Sequence, residues 1–384
     1  MRSFKFLFFD GIVFLLYLFT IGYFIKFFGF IDIKDHNLLL SNYLSAGYFP
    51  IPPGYYFLVY ALDMLIRIKY PFVVSSALVL SFFLWWKYKL LFTEISKSMG
   101  RKGPKSFLLS LSFLFLSPIF IPAIDGDFWY LGKFTQTIWH NSTLICVFPF
   151  CIILILQTLK WLDSKDRTHL FSMSALCFSI LLIKPSFLFC FIPALPIYIL
   201  IRDRKLSTQF IHSLFFISVI FLLLFLEKYL IFSWDPMINK LYAVDEISKV
   251  VINPLGVWLN FSNEPLFDLI SSFPLLLFFL ICWKKSAFET PYFSLSLLLL
   301  VFALLVYLLL AETGWREFHG NFYWQIPIAL LINSLSILLA VIRSFRLEGR
   351  KWTPKYVAIA LVYVIQVAMG LCYWLRIFVE RTLS

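Results

Sequence analysis

The sequence predicts an all-α polytopic membrane protein of about 11 transmembrane helices with outward loops and interfacial helices. Three observations carry that prediction. Hydrophobic residues make up 61% of the 384 and charged residues only 14%, whereas a soluble chain is about half apolar and a quarter charged. Apolar runs of about 20 residues, the length that spans a bilayer core, recur throughout the chain. Lys and Arg crowd alternate connecting segments, as they do on the cytoplasmic side of multi-pass proteins.

No long hydrophilic segment interrupts this pattern, so residues 1–384 read as a single integral membrane domain. The aromatic share of 20%, with 47 Phe, suits lipid-facing surfaces and interfacial belts. The net charge of +12 would suggest nucleic acid in a soluble protein. Here the basic residues concentrate on one membrane side, so no nucleic-acid partner is expected. The six cysteines lie in apolar runs without metal-ligand spacing and read as small buried hydrophobes.

The first apolar run follows Met1-Arg2-Ser3-Phe4-Lys5 and reaches about Ile31. It is longer than a signal-peptide core and no small-x-small cleavage site follows, so it is expected to stay as the first membrane helix. Spans are expected at 6–29, 70–91, 106–124, 142–160, 169–184, 186–201, 208–230, 265–283, 291–311, 322–342 and 355–376. With the N-terminus in the cytoplasm, the inner segments include 87–105 with six basic residues and 343–355 with five. Residues 54–66 (GYYFLVYALDMLI) are also apolar. If they crossed, the basic segment 87–105 would face outward. A non-crossing helix at the outer interface is therefore expected, with Tyr55, Tyr56 and Tyr60 suited to that place.

This topology collects polar residues on the outward face. The segment 30–55 holds Asp32, Lys34, Asp35 and His36. The segment 125–143 holds Asp125, Asp127, Lys133, Gln136, His140 and Asn141. The segment 312–324 holds Glu312, Arg316, Glu317, His319 and Asn321. Polar loops are common in themselves, but loops on a helical scaffold are also where binding and catalytic groups sit. Lys184-Pro185 breaks an apolar run, and a charge there is either an interfacial lysine in a tight turn or a functional group. Asp10 is assigned no role, and Lys26 is expected to snorkel. No nucleotide-binding loop, zinc-protease motif or nucleophile elbow is present.

Asp35-His36 followed by GYFPIPPGYYFLVYAL, together with LLIKPSFLFCFIPALPIYILIRDRK and YLGKFTQTIWHNSTLICVFPF, resembles the GT-C superfamily of membrane glycosyltransferases. The likeness is to the branch that uses polyprenol-phosphate-mannose, and it covers a GT-C-like module at roughly 1–205, with additional spans at 206–384. In that family a catalytic acid follows the first helix, then a surface helix and a Pro-Pro-aromatic stretch. This chain departs by having Asp32-x-x-Asp35 in place of paired acids. WHNST and GWREFHGNFYW look like markers of a narrower bacterial group.

The resemblance implies a hexosyltransferase of the bacterial plasma membrane. Its partners would be a polyprenyl-phosphate sugar donor and a glycan or lipid-linked acceptor. Such a reaction needs a base for the acceptor hydroxyl. Asp35 is the first choice and Asp32 the second, with His36 as base or hydrogen-bond partner. Lys184 and Arg316 would hold the phosphate, assisted by His140 or His319, with Asn141, Asn321 and Asp127 in the same substrate-binding set. Trp129, Trp139, Trp315 and Trp324 are candidates for a sugar or polyprenyl path, and each is more often an interfacial anchor. No cofactor is required, although the outward acids leave room for a divalent cation. The competing readings are a flippase or transporter of lipid-linked sugars, and a polysaccharide polymerase or ligase. The 231–264 loop lacks the arginines expected of the latter.

Overall fold

The computed structural model describes residues 2–29, 31–67, 71–126, 131–237 and 249–380. The first helices are α1 (Arg2–Phe27), α2 (Asp32–Ser45), α3 (Gly54–Ile66), α4 (Val73–Met99), α5 (Pro104–Ser112) and α6 (Pro122–Asp125). They are followed by α7 (Ser142–Ser164), α8 (Arg167–Ile183), α9 (Ser186–Asp203) and α10 (Thr208–Tyr229). The last are α11 (Gly256–Phe261), α12 (Pro265–Ser272), α13 (Pro274–Trp283), α14 (Pro291–Leu309), α15 (Gln325–Leu347) and α16 (Pro354–Glu380).

Among the described residues, eight helices are long and apolar enough to cross a membrane: α1, α4, α7, α9, α10, α14, α15 and α16. The protein is an all-α polytopic membrane protein. The expected span 265–283 is a broken one, α12 and α13 meeting at 65°. The bend falls at Phe273, where Pro274 removes an amide donor from the helix ladder.

Two other expected spans take a different form. Residues 106–124 do not make one helix. α5 ends at Ser112, a 3₁₀ turn covers Phe113–Phe115, and α6 is only four residues long. Pro118 and Pro122 lie in this stretch, and the residue before a proline is pushed toward extended backbone. The freed amides find distant partners: Ser117 N donates to Gln366 O at 3.3 Å and Ile119 N to Ser271 O at 2.9 Å. Residues 169–184 form the 17-residue α8, which stops at Lys184 because Pro185 follows.

The segment 30–55 is not simply a loop, because α2 occupies most of it and carries Asp32, Asp35 and His36. α3 has 13 residues, which at 1.5 Å per residue is about 20 Å, short of the about 30 Å needed to cross. The basic segment 87–105 is not a loop from its start, since α4 runs to Met99. Within it Lys87 is buried with Nζ 4.6 Å from the Phe148 ring centre, and Lys89 pairs with Asp10 at 2.6 Å.

The chain forms two compact units. One contains Met1–Leu90, Ile138–Pro185 and Val219–Ala243, the other Leu91–Thr137, Ser186–Ser218 and Val244–Ser384. In the first, α7 packs along α8, and α3 touches both. Gly54 lets α3 begin against the end of α8: a Cβ there would lie 2.7 Å from Leu182 O. In the second, α14 packs on α15 and α9. Ser296 and Ser336 join α14 to α15 by a 2.8 Å hydrogen bond, and Asn333 donates to Ser296 at 3.2 Å. A short antiparallel pair, β1 (Val250–Ile252) and β2 (Leu310–Glu312), sets Val251 opposite Ala311.

Candidate functional site

In the first unit, three separate segments bring polar side chains to the N-terminus of α7. Asn141 caps that helix by accepting from Leu144 N at 3.0 Å. Asp32, in the first turn of α2, accepts from Ser142 N at 2.7 Å. A carboxylate there meets the unsatisfied amides and positive end of α7. Asp32 and Asp35 also favour the start of α2 itself by the same dipole effect.

His36 lies one turn beyond Asp32, its Nε2 3.5 Å from Asp32 Oδ1. Its Nδ1 is 2.6 Å from the hydroxyl of Tyr56, which α3 supplies. The third segment is the Lys184-Pro185 break, where Lys184 Nζ donates to Thr143 Oγ1 at 3.1 Å. Asp32, His36, Tyr56, Asn141, Thr143 and Lys184 thus form one linked polar group.

The electrostatics separate the two acids. Burial opposes charge on Asp32, but His36, the Ser142 amide and Lys184 hold its carboxyl well below the usual carboxylate range. Asp35 is exposed, and its carboxyl has no protein hydrogen-bond partner among the described residues. Partial burial and the neighbouring charge of Asp32 push its pKa up, with His36 pulling the other way. Burial lowers Lys184 to about 8, against the pull of Asp32. Burial likewise lowers His140 to about 4, so its imidazole is neutral at neutral pH.

Arg316, His319 and Asn321 belong to the second unit. Arg316 and His319 sit in the 3₁₀ turn Gly314–His319 that follows β2. Arg316 Nη1 is 3.7 Å from Glu312 Oε1, and the Asn321 amide donates to the other oxygen of Glu312. Asp127 and Trp129 lie outside the described residues, as does the side chain of Trp315. Trp139 is a core residue, buried with its ring centre 5.9 Å from that of Tyr17. Trp324 is also largely buried. Among the described residues no group of three His, Cys, Asp or Glu side chains could hold a metal ion.

Tyr56 and Thr143 were not foreseen as parts of the group. Tyr56 reads as an interfacial aromatic, and only its contact with His36 reveals another role. A second polar cluster, around Lys133, also escaped the sequence reading. Asp125 and Lys133 stand among the outward polar residues, and the signal that they belong together is Asp268 inside the apolar run PLFDLISS. Compared with protein-family models and with curated proteins, the chain matches none.

Proposed function

We propose that this protein is a GT-C-type membrane glycosyltransferase. It transfers a sugar from a polyprenyl-phosphate donor to a glycan or lipid-linked acceptor on the outward face of the bacterial plasma membrane, with its N-terminus in the cytoplasm. The observation that supports the reading best is the gathering of Asp32, Asp35, His36, Asn141 and Lys184 in one unit from segments far apart in sequence.

In this reading Asp35 is the general base. It is accessible, uncommitted to a protein donor and shifted toward neutral pH, whereas Asp32 is a stable anion already used by α7. Asp35 takes the proton of the acceptor hydroxyl. The hydroxyl oxygen bonds to the anomeric carbon as the carbon–oxygen bond to phosphate breaks. Polyprenyl phosphate leaves with the bonding electrons. Lys184 stabilises that dianion, and Thr143 orients the ammonium. Asp32 orients His36 and holds α2 on α7.

The test is sugar transfer by the purified protein in liposomes carrying a polyprenyl-phosphate sugar. Asp35→Asn should reduce turnover by about 10²–10⁴-fold, the usual contribution of a positioned base. Full turnover in the folded variant would remove Asp35 from that role. Movement of labelled lipid across the bilayer without transfer would replace the transferase reading by a flippase.

A further inference from the structure

Away from this group, the second unit buries three ionisable side chains together. Asp125 ends α6, Lys133 lies in the segment leading toward α7, and Asp268 projects from α12. Their side chains are at most 5% exposed. Lys133 Nζ is 2.8 Å from Asp125 Oδ1 and 3.1 Å from Asp268 Oδ1, and it donates to Ser271 Oγ. The Ser271 contact is a hydrogen bond, and the two carboxyl contacts are ion pairs. The Phe267 ring lies against the same nitrogen, its centre 4.4 Å away.

The outer carboxyl oxygens are also committed. Asp125 Oδ2 accepts from Ile121 N at 2.6 Å, and Asp268 Oδ2 accepts from Ser262 Oγ. The two Oδ1 atoms differ: each is fully buried and neither has a well-formed hydrogen bond, only the approach of the Lys133 charge. Two carboxylates and one ammonium leave one net negative charge in a buried site. Among the described residues no second cation makes an ion pair with either acid. An uncompensated buried charge is among the costliest features a fold can carry.

We propose that Asp125 and Asp268 bind one proton between their Oδ1 atoms at neutral pH, making the cluster a neutral set of acid, carboxylate and ammonium. The same two atoms that lack hydrogen bonds are those that converge on Lys133, so a shared proton satisfies both and removes the excess charge. The direction of the Asp125 pKa agrees: it is raised by burial and by the Asp268 carboxyl, although Lys133 and the Ile121 amide pull it down. Like-charged carboxyls in contact titrate as a pair, with the second proton held far above its ordinary range.

The bound proton has a thermodynamic signature. It is held more tightly in the folded state than in the unfolded one, so it stabilises the fold at low pH and that gain is lost as pH rises through the folded value. Within that window the folding equilibrium shifts against the native state by up to about tenfold per pH unit.

The proposal does not rest on the transferase reading, and its test needs no substrate. Infrared spectra of the full-length protein in lipid nanodiscs at neutral pH should show a protonated-carboxyl band that Asp125→Asn removes. Asp268→Asn should remove the same band. Each amide keeps an oxygen for its outer donor, Ile121 N or Ser262 Oγ. Both variants should also lose the one-proton pH dependence of stability. Retention of the band in either variant would overturn the proposal. So would stabilisation of the wild type by sodium but not by choline that Asp125→Asn abolishes, because a metal cation would then occupy the proton's place.

Discussion

Lys184 shows how burial can set the working range of a single side chain. Its folded pKa of about 8 lies below the ordinary value of 10.5. Between those values the unfolded chain binds more protons, so this group makes the fold more stable as pH rises from about 8 toward the unfolded value. Anion binding should run the other way. Polyprenyl phosphate should bind more weakly as pH rises through about 8, and Lys184→Arg should abolish that decline, because a guanidinium stays charged. Titrating the affinity of both proteins against pH measures the effect. A decline that persists in the arginine variant would assign it to another group.

Asp32 carries a different load from Asp35, although the two are one turn apart on α2. Asp32→Ala removes the acceptor of the Ser142 amide at the start of α7. Leaving that buried donor unpaired should cost about 1–3 kcal/mol. Asp32→Asn keeps an acceptor and should cost less. Thermal unfolding in detergent, with Asp35→Asn as the neutral comparison, distinguishes an anchoring acid from a reacting one.

At the level of elements, the breaks matter as much as the helices. α5 cannot continue through 116–121, and the backbone left unwound there is served by Gln366 of α16 and Ser271 of α12. Such backbone is tolerated at membrane depth only where protein covers it. α16 comes close enough because residue 370 is glycine: a Cβ there would lie 1.6 Å from Phe115 O. Gly370→Ala should therefore force α16 away from the 3₁₀ turn Phe113–Phe115 and lower the melting temperature. An exposed alanine introduced on the same helix, at Val364, should have little effect.

For the molecule as a whole, α3 decides how the first unit is threaded. A 13-residue helix is too short to cross unaided, so Ser45 and Arg67, which flank it and are both exposed, should face the same side. Single cysteines at these two positions should react together with an impermeant reagent applied from outside intact cells. Reaction from opposite sides would reverse the orientation of every later segment. The fold class was readable throughout, because hydropathy is a local property summed over twenty residues. The eight long helices coincide with expected spans for that reason. The broken spans were less readable, because proline marks a break without saying which distant group will satisfy the freed amides.

The sequence by itself determined that this is a helical multi-pass membrane protein, and it nominated Asp32, Asp35, His36, Asp127, His140, Asn141, Lys184, Arg316, His319 and Asn321 as one polar set. Tertiary structure decided which of them meet, and it put Arg316, His319 and Asn321 in the other unit. It committed Asp32 to the amide of Ser142 and left Asp35 open to solvent. It joined His36 to Tyr56, and it buried Lys133 between two acids 143 residues apart in number (Asp125 and Asp268). Composition and periodicity act within one segment, whereas hydrogen bonds and ion pairs depend on which segments the fold brings within about 3 Å of each other.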